Sequence, residues 1–489
     1  MTLRPLRVAL ALALCLAVGL AGPVPAPALF DRISVPEEME LGKQFDQQLR
    51  SQLPMIEDPL VTGYVADLVK RIEAVLPPQP FPIRPAVINN SGVNAFAIPG
   101  GYIYVFSGLL MAMDDEDEVA GVISHELGHV TEHHVAKRLQ QAQIASAGAF
   151  LGTIAGALLG VAGHGENMQN ASKAVMVGSQ AAATAKMLLY SQENEREADH
   201  VGMNYLTAAG YNPEGLPDSF EVMMRNKWSS GDSQIPSYLS THPAVSDRIV
   251  YLQERVKRMP PEYLQRRTDN SRFLRVKALL WGRIGDPTLC IARYDDMAPD
   301  KRTCLDTMAV AMAADRAHKT ALAEQSFQNA LACGGSDPLI LREAGRFWFK
   351  QGDLKKAQPL LQKAMFLAPD DQLVLFYNAR LLAEMKEYGP AIETMRQVLR
   401  ALPREPEVHY HLGRLLGETG DVFGAHVHLA YAALYDMDRR QARFHLDKAR
   451  GLAQTPDQKQ QLQELEQQMG GGGGGGPEGD SGEGPGGGQ

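Results

Sequence analysis

The chain has 489 residues, of which 45% are hydrophobic and 21% are charged, and its formal net charge is −9. This length is enough for two or three domains, each with its own hydrophobic core. Because the chain is acidic and contains no basic stripe, nucleic acid is excluded as a bulk partner.

The N-terminus predicts a cleavable signal peptide over residues 1–28. Arg4 and Arg7 precede an uncharged apolar run, and small residues follow this run up to Ala28. This order is typical of a secretory signal. We therefore expect an exported protein that folds in an oxidising compartment.

Three cysteines remain after the signal peptide: Cys290, Cys304 and Cys333. This number is too small for a disulfide-built fold, but it permits one disulfide bond. Cys290 and Cys304 are the closest pair in sequence, so our hypothesis is a bridge between them.

The first domain, predicted over residues 29–270, reads as α+β and mostly helical. Its helical start is followed by three short segments, Pro85–Asn89, Asn94–Ile98 and Tyr102–Phe106, which are rich in Val, Ile, Phe and Tyr. Turn-forming residues separate the segments. The pattern predicts a small antiparallel sheet.

The second extended segment lies shortly before the most distinctive motif of the chain. If it forms an edge strand, a substrate chain can add to it through main-chain hydrogen bonds. The alternative is a hairpin that serves only the core. The candidate substrate-strand residues are Asn94, Ala95, Phe96 and Ala97.

The motif itself is His125-Glu126-Leu127-Gly128-His129. On a helix the two histidines lie four residues apart on one face, so both imidazoles can bind one metal ion. Glu126 is one step round the helix and can reach a water on that ion. This is the pattern of a zincin-type hydrolase with one Zn²⁺ per chain. His133 and His134 come later, and we expect them on a solvated face.

Two histidines need a third protein ligand. In the acidic segment that begins at Glu193, Glu195 and Asp199 share a helix face that continues into Gly202 and Leu206. Glu195 is therefore the predicted third ligand. Asp199 can accept a hydrogen bond from the outer nitrogen of a metal-bound histidine.

Between these motifs, Ile144–Gly163 is an uncharged run of bilayer-spanning length. Glycines recur in it every four residues, which lowers its hydrophobicity and favours close helix packing. We expect a helix or hairpin that packs in the soluble domain or touches a membrane surface, rather than a membrane span.

A third motif, Thr241-His242-Pro243, follows, with Arg248 after it. Together with His125–His129 and Glu195–Asp199, it resembles the motif set of the Ste-type and HtpX-type zinc metallopeptidases, in particular a periplasmic branch. The resemblance implies that His125, His129 and Glu195 bind zinc and that Glu126 is the general base. It also implies that Asp199 assists catalysis, as a partner of a ligand or as a proton donor. His242 is implied as a fourth ligand or a latch.

The second half of the chain predicts a helical repeat solenoid over residues 271–468. Small residues recur every 34 positions in two series, which is typical of tetratricopeptide helix pairs. The series are Ala323, Ala357, Ala391 and Ala425, and Ala311, Gly345, Ala379 and Gly413. Residues 469–489 are rich in glycine and predict a disordered tail.

These observations predict a secreted, periplasmic zinc endopeptidase that degrades misfolded or stalled envelope proteins, and the resemblance alone implies outer-membrane proteins among them. The repeats would dock substrates, and the resemblance implies the outer-membrane barrel assembly machinery as a partner. The alternative is a repeat-based adaptor or chaperone with a latent zinc site. Glu126 favours the enzyme, because a purely structural site has no use for an acid between two ligands.

Overall fold

The structure is a computed structural model and describes residues 33–141, 191–229 and 237–470. The predicted signal peptide, the Ile144–Gly163 segment and the glycine-rich tail beyond residue 470 lie outside the described residues. Within the described ranges, none of the helices combines the length and apolar character needed to cross a membrane. The chain separates into two units, Met1–Leu280 and Trp281–Gln489.

The first unit begins with two helices whose starts are fixed by capping side chains. In α1 (Val35–Gln52), Ser34 and Glu37 form a reciprocal capping box. In α2 (Pro59–Glu73), the side chain of Asp58 accepts a hydrogen bond from the backbone of Leu60, 2.9 Å away.

Three strands follow, β1 (Arg84–Ile88), β2 (Ala95–Ile98) and β3 (Tyr102–Phe106), close to their predicted bounds. Their order is β1-β3-β2, with β3 antiparallel to β2 but parallel to β1. The prediction of a purely antiparallel sheet was therefore wrong. The tight turn at residues 99–101 pairs β2 with β3, whereas β1 joins the opposite edge of β3 and so runs parallel to it.

Nine further helices of the described residues complete the first unit. They are α3 (Ser107–Ala112), α4 (Glu116–Thr131), α5 (His134–Gln141), α6 (Gln192–Ala208), α7 (Gly215–Ser229), α8 (Ser237–Thr241), α9 (Val245–Val256), α10 (Pro261–Leu264) and α11 (Ser271–Arg283). The division between the units falls within α11. Helix α4 packs against α6, α7 and β2, and its residues from Asp117 to Val130 are all buried. A helix buried on every side can hold ionisable groups away from water, which suits a metal site.

The second unit is entirely helical in its described part, and the predicted α+β fold with a helical repeat solenoid is confirmed. Its helices are α12 (Pro287–Asp296), α13 (Cys304–Arg316), α14 (Thr320–Gly334), α15 (Pro338–Lys350), α16 (Leu354–Leu367), α17 (Gln372–Glu384), α18 (Tyr388–Ala401), α19 (Pro406–Glu418), α20 (Val422–Tyr435), α21 (Arg439–Leu452) and α22 (Pro456–Gly470). The small residues of the repeat lie where paired helices approach. A Cβ on Gly345, for example, would stand 2.8 Å from the side chain of Leu361.

A buried carboxylate organises the start of the repeats. Glu343 is buried, and its oxygens lie 2.7 Å from Arg283, 2.9 Å from Arg342 and 3.2 Å from Arg346. Burial would raise the pKa of Glu343, but these three arginines outweigh it and hold the pKa below its ordinary value. The carboxylate is therefore ionised and shared among the three cations.

The disulfide bond joins Cys304 to Cys333, and Cys290 is a free, buried thiol. The hypothesis of a Cys290–Cys304 bridge was therefore wrong. Helices α13 and α14 form a pair, which brings the first residue of α13 next to the end of α14. Distance in space, and not separation along the sequence, decides which thiols meet.

Candidate metal centre

The site is built on α4, and the residues at the start of this helix stabilise its first turn. The side chain of Asp115 accepts a hydrogen bond from the backbone of Glu118, 3.0 Å away, and three acidic residues occupy the first turn of the helix. One helical turn separates His125 from His129, and their Nε2 atoms lie 3.0 Å apart. Both rings are buried, so the two nitrogens face one common point inside the protein.

Helix α6 supplies a carboxylate to the same point. The oxygens of Glu195 lie 3.5 Å from Nε2 of His125 and 3.5 Å from Nε2 of His129, and the side chain is only 1% exposed. Burial would raise the pKa of Glu195, but His242 and Arg248 outweigh it and hold the pKa well below its usual range. Glu195 is therefore an ionised carboxylate, as a metal ligand must be.

Two glycines allow α4 and α6 to cross closely enough for this contact. A Cβ on Gly128 of α4 would lie 2.8 Å from the carbonyl oxygen of Ala198, and a Cβ on Gly202 of α6 would lie 2.8 Å from the carbonyl oxygen of Ser124. Either side chain would push the helices apart, because real Cβ contacts with backbone oxygens are longer. The distance from Glu195 to the histidines thus depends on both glycines.

His242 enters the cluster from the connection between α8 and α9. Its Nδ1 lies 3.0 Å from an oxygen of Glu195 and 3.4 Å from Nε2 of His125. The ring of Tyr238 stacks on it with the centroids 4.2 Å apart. Ala244, which follows Pro243, has a φ of 61°, so the chain turns through a left-handed residue before α9. The imidazole is thereby held inside the site.

The donor set fits a divalent metal such as zinc. One ligand atom from each of His125, His129, Glu195 and His242 can be chosen so that all four lie within 4.8 Å of one another. Tetrahedral zinc with bonds of about 2.0–2.1 Å places its ligand atoms about 3.3 Å apart. The distances of 3.0–3.5 Å between these groups bracket that value.

Asp199 lies one turn beyond Glu195 and contacts the outer side of the first histidine. Its Oδ1 is 2.9 Å from Nδ1 of His125, and Arg248 donates to both of its oxygens at 2.7 and 2.8 Å. Tyr251 donates to Oδ2 as well. Burial would raise the pKa of Asp199, but Arg248 and His125 outweigh it and lower that pKa. The carboxylate is ionised and its oxygens are engaged.

Arg248 connects the two acidic partners of the site. It is 2% exposed, and its third guanidinium nitrogen, Nη1, donates to Glu195. Its guanidinium also lies over the ring of Phe220, 4.4 Å from the centroid. Because all three nitrogens of this buried side chain donate to the two carboxylates, Arg248 fixes Glu195 and Asp199 relative to each other.

Glu126 differs from the other acids of the site. Both of its carboxylate oxygens are buried, and neither has a hydrogen-bond partner among the described residues. Burial raises the pKa of this carboxyl group, and the charges of His242 and His125 only oppose the shift. Oε1 lies 3.6 Å from Nε2 of His242, which is beyond hydrogen-bond distance. Buried oxygens without a hydrogen bond in a polar site are expected to face a water or a substrate.

His134 contacts a histidine of the site, and the expectation that it lies on a solvated face was wrong. It is fully buried, its Nδ1 is 2.9 Å from Nδ1 of His129, and its Nε2 is 3.1 Å from the carboxylate of Glu197. Helix α4 ends at Thr131, and the left-handed φ of 52° at His133 turns the chain back before α5. Histidine is one of the residues that tolerate this conformation, which was the available signal.

The candidate substrate strand β2 lies at an edge of the sheet and packs against α4. Within the described ranges it pairs only with β3. The ring of Phe96 packs into the core, stacked on Tyr104 with the centroids 5.1 Å apart, so this side chain faces away from any added strand. Asn94 is fully buried, and its amide oxygen and nitrogen have no hydrogen-bond partner in the described part of the chain.

Fold and site together define an HExxH-type metallopeptidase domain joined to a helical repeat array. Residues 60–256 match the family model described as Peptidase family M48, and residues 348–415 match the model described as Tetratricopeptide repeat. The chain therefore contains an M48 peptidase domain followed by tetratricopeptide repeats, and the predicted resemblance is confirmed.

The chain is also similar to curated proteins that are named as proteases. The chain is 31% identical over 237 residues to the beta-barrel assembly-enhancing protease of Escherichia coli K12, an alignment that covers 48% of this chain and 47% of that protein. It is 27% identical over 387 residues to the Yersinia pestis protein of the same name, covering 76% of each. It is 33% identical to the metalloprotease LoiP of Escherichia coli K12, covering 36% of this chain and 63% of that protein. The chain spans about half the length of the first of these relatives.

Proposed function

We propose that this chain is a zinc-dependent endopeptidase of the periplasm that cleaves misfolded or stalled envelope proteins. The observation that carries the proposal is the position of Glu126, whose buried oxygens make no hydrogen bond in the described part of the chain and lie beside four side chains that could hold a metal ion, with Oε1 3.6 Å from Nε2 of His242. The names of the relatives support outer-membrane proteins as the substrate class and their assembly machinery as a partner.

His125, His129 and Glu195 are the proposed zinc ligands. When bound, zinc would polarise a peptide carbonyl and lower the pKa of a water. Glu126 would take the proton of that water and return it to the leaving amine, a role that suits a carboxyl group whose pKa is raised by burial. Asp199 would orient His125, since its ionised oxygens are already engaged and it has no proton to donate.

His134 and Glu197 would orient the second histidine. A metal at Nε2 of His129 requires the proton of that ring at Nδ1, which then donates to Nδ1 of His134. His134 must carry its own proton at Nε2 and donate it to Glu197. Each metal-binding histidine thus has a buried partner that selects its tautomer, Asp199 on one side and His134 on the other.

The proposal is tested with Glu126→Gln, which keeps the shape of the side chain and removes its basicity. The variant should keep its fold and zinc content and lose cleavage of an unfolded protein, with a fall in turnover of at least about 100-fold. Cut sites mapped on a stalled barrel precursor, with and without a zinc chelator, would identify the substrate class. Unchanged turnover in the variant would rule out the assigned role.

A second function, an adaptor or chaperone with a latent zinc site, is favoured by one observation. His242 lies within 3.4 Å of His125 and Glu195, so it can complete a four-ligand site that leaves no position for water. A Glu126→Gln protein that restored every phenotype of a deletion strain would establish this second function. We propose that His242 instead acts as a latch that a substrate displaces.

A further inference from the structure

Four histidines near the end of the repeat array form two close pairs. Nδ1 of His409 in α19 lies 3.0 Å from Nδ1 of His428 in α20, and Nδ1 of His426 in α20 lies 3.0 Å from Nδ1 of His445 in α21. In both pairs the second histidine follows the first by 19 residues. The pairs join three successive helices, and each brings two imidazole nitrogens to one point.

Two imidazole nitrogens at this distance have two chemical explanations. One ring can donate its proton to the other in an N–H···N hydrogen bond, or both rings can bind one metal ion. The separation equals that of the Nε2 atoms of His125 and His129 in the candidate metal centre. With bonds of about 2.0–2.1 Å to an ion, it corresponds to an angle of roughly 91–97° between the two ligands. The surroundings of each pair decide between the explanations.

The pair of His409 and His428 is complete as a chain of hydrogen bonds. His409 is 5% exposed, and its Nε2 lies 3.1 Å from the carbonyl oxygen of Pro403, so Nε2 carries the proton. Nδ1 of His409 is then an acceptor, and Nδ1 of His428 donates to it. This pair is satisfied without a metal.

The pair of His426 and His445 has no such chain. Both rings are partly exposed, and within the described ranges the contact between their Nδ1 atoms is the one hydrogen bond that either ring makes. No carbonyl or carboxylate among the described residues therefore fixes which nitrogen carries the proton. Each ring can hold its proton on Nε2 and direct the lone pair of Nδ1 toward the other ring, as a shared metal ion requires.

Protons do not compete for these two nitrogens at neutral pH. Burial, and then the charge of Lys448, lowers the pKa of His426, and burial, and then the charge of His426, lowers the pKa of His445. Both rings are therefore neutral at pH 7, as metal ligands must be. Lys448 is exposed, and its ammonium group would weaken the binding of a cation to some degree.

The type of ligand limits the kind of ion. Imidazole nitrogen suits copper, nickel and zinc, whereas magnesium and calcium prefer oxygen ligands. For a given nitrogen site, the affinity is higher for Cu²⁺ than for Ni²⁺ or Zn²⁺. Because both rings are partly exposed, water can occupy the other positions around the ion.

We propose that His426 and His445 bind one divalent transition-metal ion through their Nδ1 atoms, with Cu²⁺ preferred over Ni²⁺ and Zn²⁺. The site is separate from the candidate metal centre, which lies in the first unit, and it does not depend on peptidase activity. The ion would connect α20 with α21, whose buried residues Val427 and Leu446 belong to one apolar cluster.

The test adds Cu²⁺ to the full chain after the candidate metal centre has been loaded with one equivalent of Zn²⁺. Binding is followed by isothermal titration calorimetry and by electron paramagnetic resonance, which detects nitrogen atoms bound to Cu²⁺. Loss of one histidine, in His426→Asn or His445→Asn, should weaken binding at this site about 100-fold, because the two nitrogens act together as a bivalent ligand. Mg²⁺ should not bind to the pair.

His411→Asn is the matched control. His411 lies at the same position of the preceding repeat, 34 residues before His445, and packs on Phe376 instead of on a second histidine. This variant should bind Cu²⁺ as the parent does. Lys448→Gln should tighten binding about threefold at low ionic strength, because it removes the cation beside His426.

Hydrogen exchange measures the connection between the helices without relying on affinity. At a Cu²⁺ concentration ten times the dissociation constant, the amide hydrogens buried between α20 and α21 should exchange about tenfold more slowly in the parent and at an unchanged rate in His445→Asn. Equal Cu²⁺ binding by the parent and both pair variants would overturn the proposal, and the pair would then be a hydrogen bond only. The same conclusion follows if Cu²⁺ bound to the parent shows no nitrogen ligands that His445→Asn lacks.

Discussion

Replacing His134 with phenylalanine tests whether the second metal-binding histidine depends on its buried partner. The substitution keeps an aromatic ring in a fully buried position and removes both nitrogens. His129 then loses the atom 2.9 Å from its Nδ1, and Glu197 loses its partner at 3.1 Å. The packing around α4 and α5 changes little, so the loss is mainly one of hydrogen bonding.

The size of the effect follows from the protonation of His129. In the metal-free protein this ring can move its proton to Nε2, but a metal at Nε2 forces the proton to Nδ1. The metal-bound state alone then loses the acceptor that stood 2.9 Å from the donor Nδ1, which costs about 1–3 kcal/mol. At about 1.4 kcal/mol per factor of ten, we expect zinc affinity to fall about 10–100-fold.

Zinc affinity is measured by competition with a chelator of known affinity, which does not depend on catalytic activity. His133→Asn is the matched control, because asparagine tolerates the left-handed φ of 52° at this position, and the replaced ring is 35% exposed and contacts Glu38 instead of the site. Glu197→Gln should have a smaller effect, since Glu197 is 48% exposed and water can replace it. A His134→Phe protein that is folded and binds zinc as tightly as the parent would refute the reasoning.

Three further predictions concern the latch, the helix crossing and the buried carboxylate. His242→Ala should raise the rate of proteolysis of an unfolded protein about tenfold, because it removes a preference of about 1.4 kcal/mol for the closed site. A loss of activity would mean that His242 assists the reaction. Gly202→Ala should lower the free energy of unfolding by about 1–3 kcal/mol and weaken zinc binding, because its Cβ would lie 2.8 Å from a backbone oxygen. Gly63→Ala, with nothing within 4 Å of the added Cβ, should change neither for the worse. Glu343→Gln should lower the free energy of unfolding at pH 7 by about 3–5 kcal/mol in urea titrations, because it removes the buried carboxylate charge that the three arginines share. The folded state holds the pKa of Glu343 below its unfolded value of about 4.3, so the stabilisation by its carboxylate is present above that value and shrinks as the pH falls. The difference in unfolding free energy between variant and parent should therefore narrow below about pH 4. The exposed control Glu393→Gln should show no such difference from the parent.

Local sequence patterns were sufficient for the elements that carry the ligands. Helix α4 follows from its acidic first turn and its apolar spacing, and the period of 34 residues predicts the helix pairs of the repeats. The shared face of Glu195 and Asp199 was also predictable, because it depends only on helical spacing. The structure brings both carboxylates to the histidines.

Contacts between distant segments were not predictable in the same way. The parallel pairing of β1 with β3, the Cys304–Cys333 bond and the turn at His133 each depend on where other elements pack. Helical periodicity, extended past Thr131, placed His134 on the wrong side of the protein. The local signal for the end of the helix was weak, because histidine at position 133 tolerates a left-handed φ but does not require one.

The sequence by itself determined the chemistry of this protein: two histidines and an acid on one helix, an acidic pair on another, and a repeat array behind them. The tertiary structure decided how these groups are used, because burial and distance exist only after folding. It left the buried oxygens of Glu126 without a hydrogen bond in the described part of the chain, gave each of the two helix histidines proposed as metal ligands its own hydrogen-bond partner, and brought His242 into the same cluster. Gly128 and Gly202 connect sequence to tertiary structure, because their missing side chains let α4 and α6 cross closely.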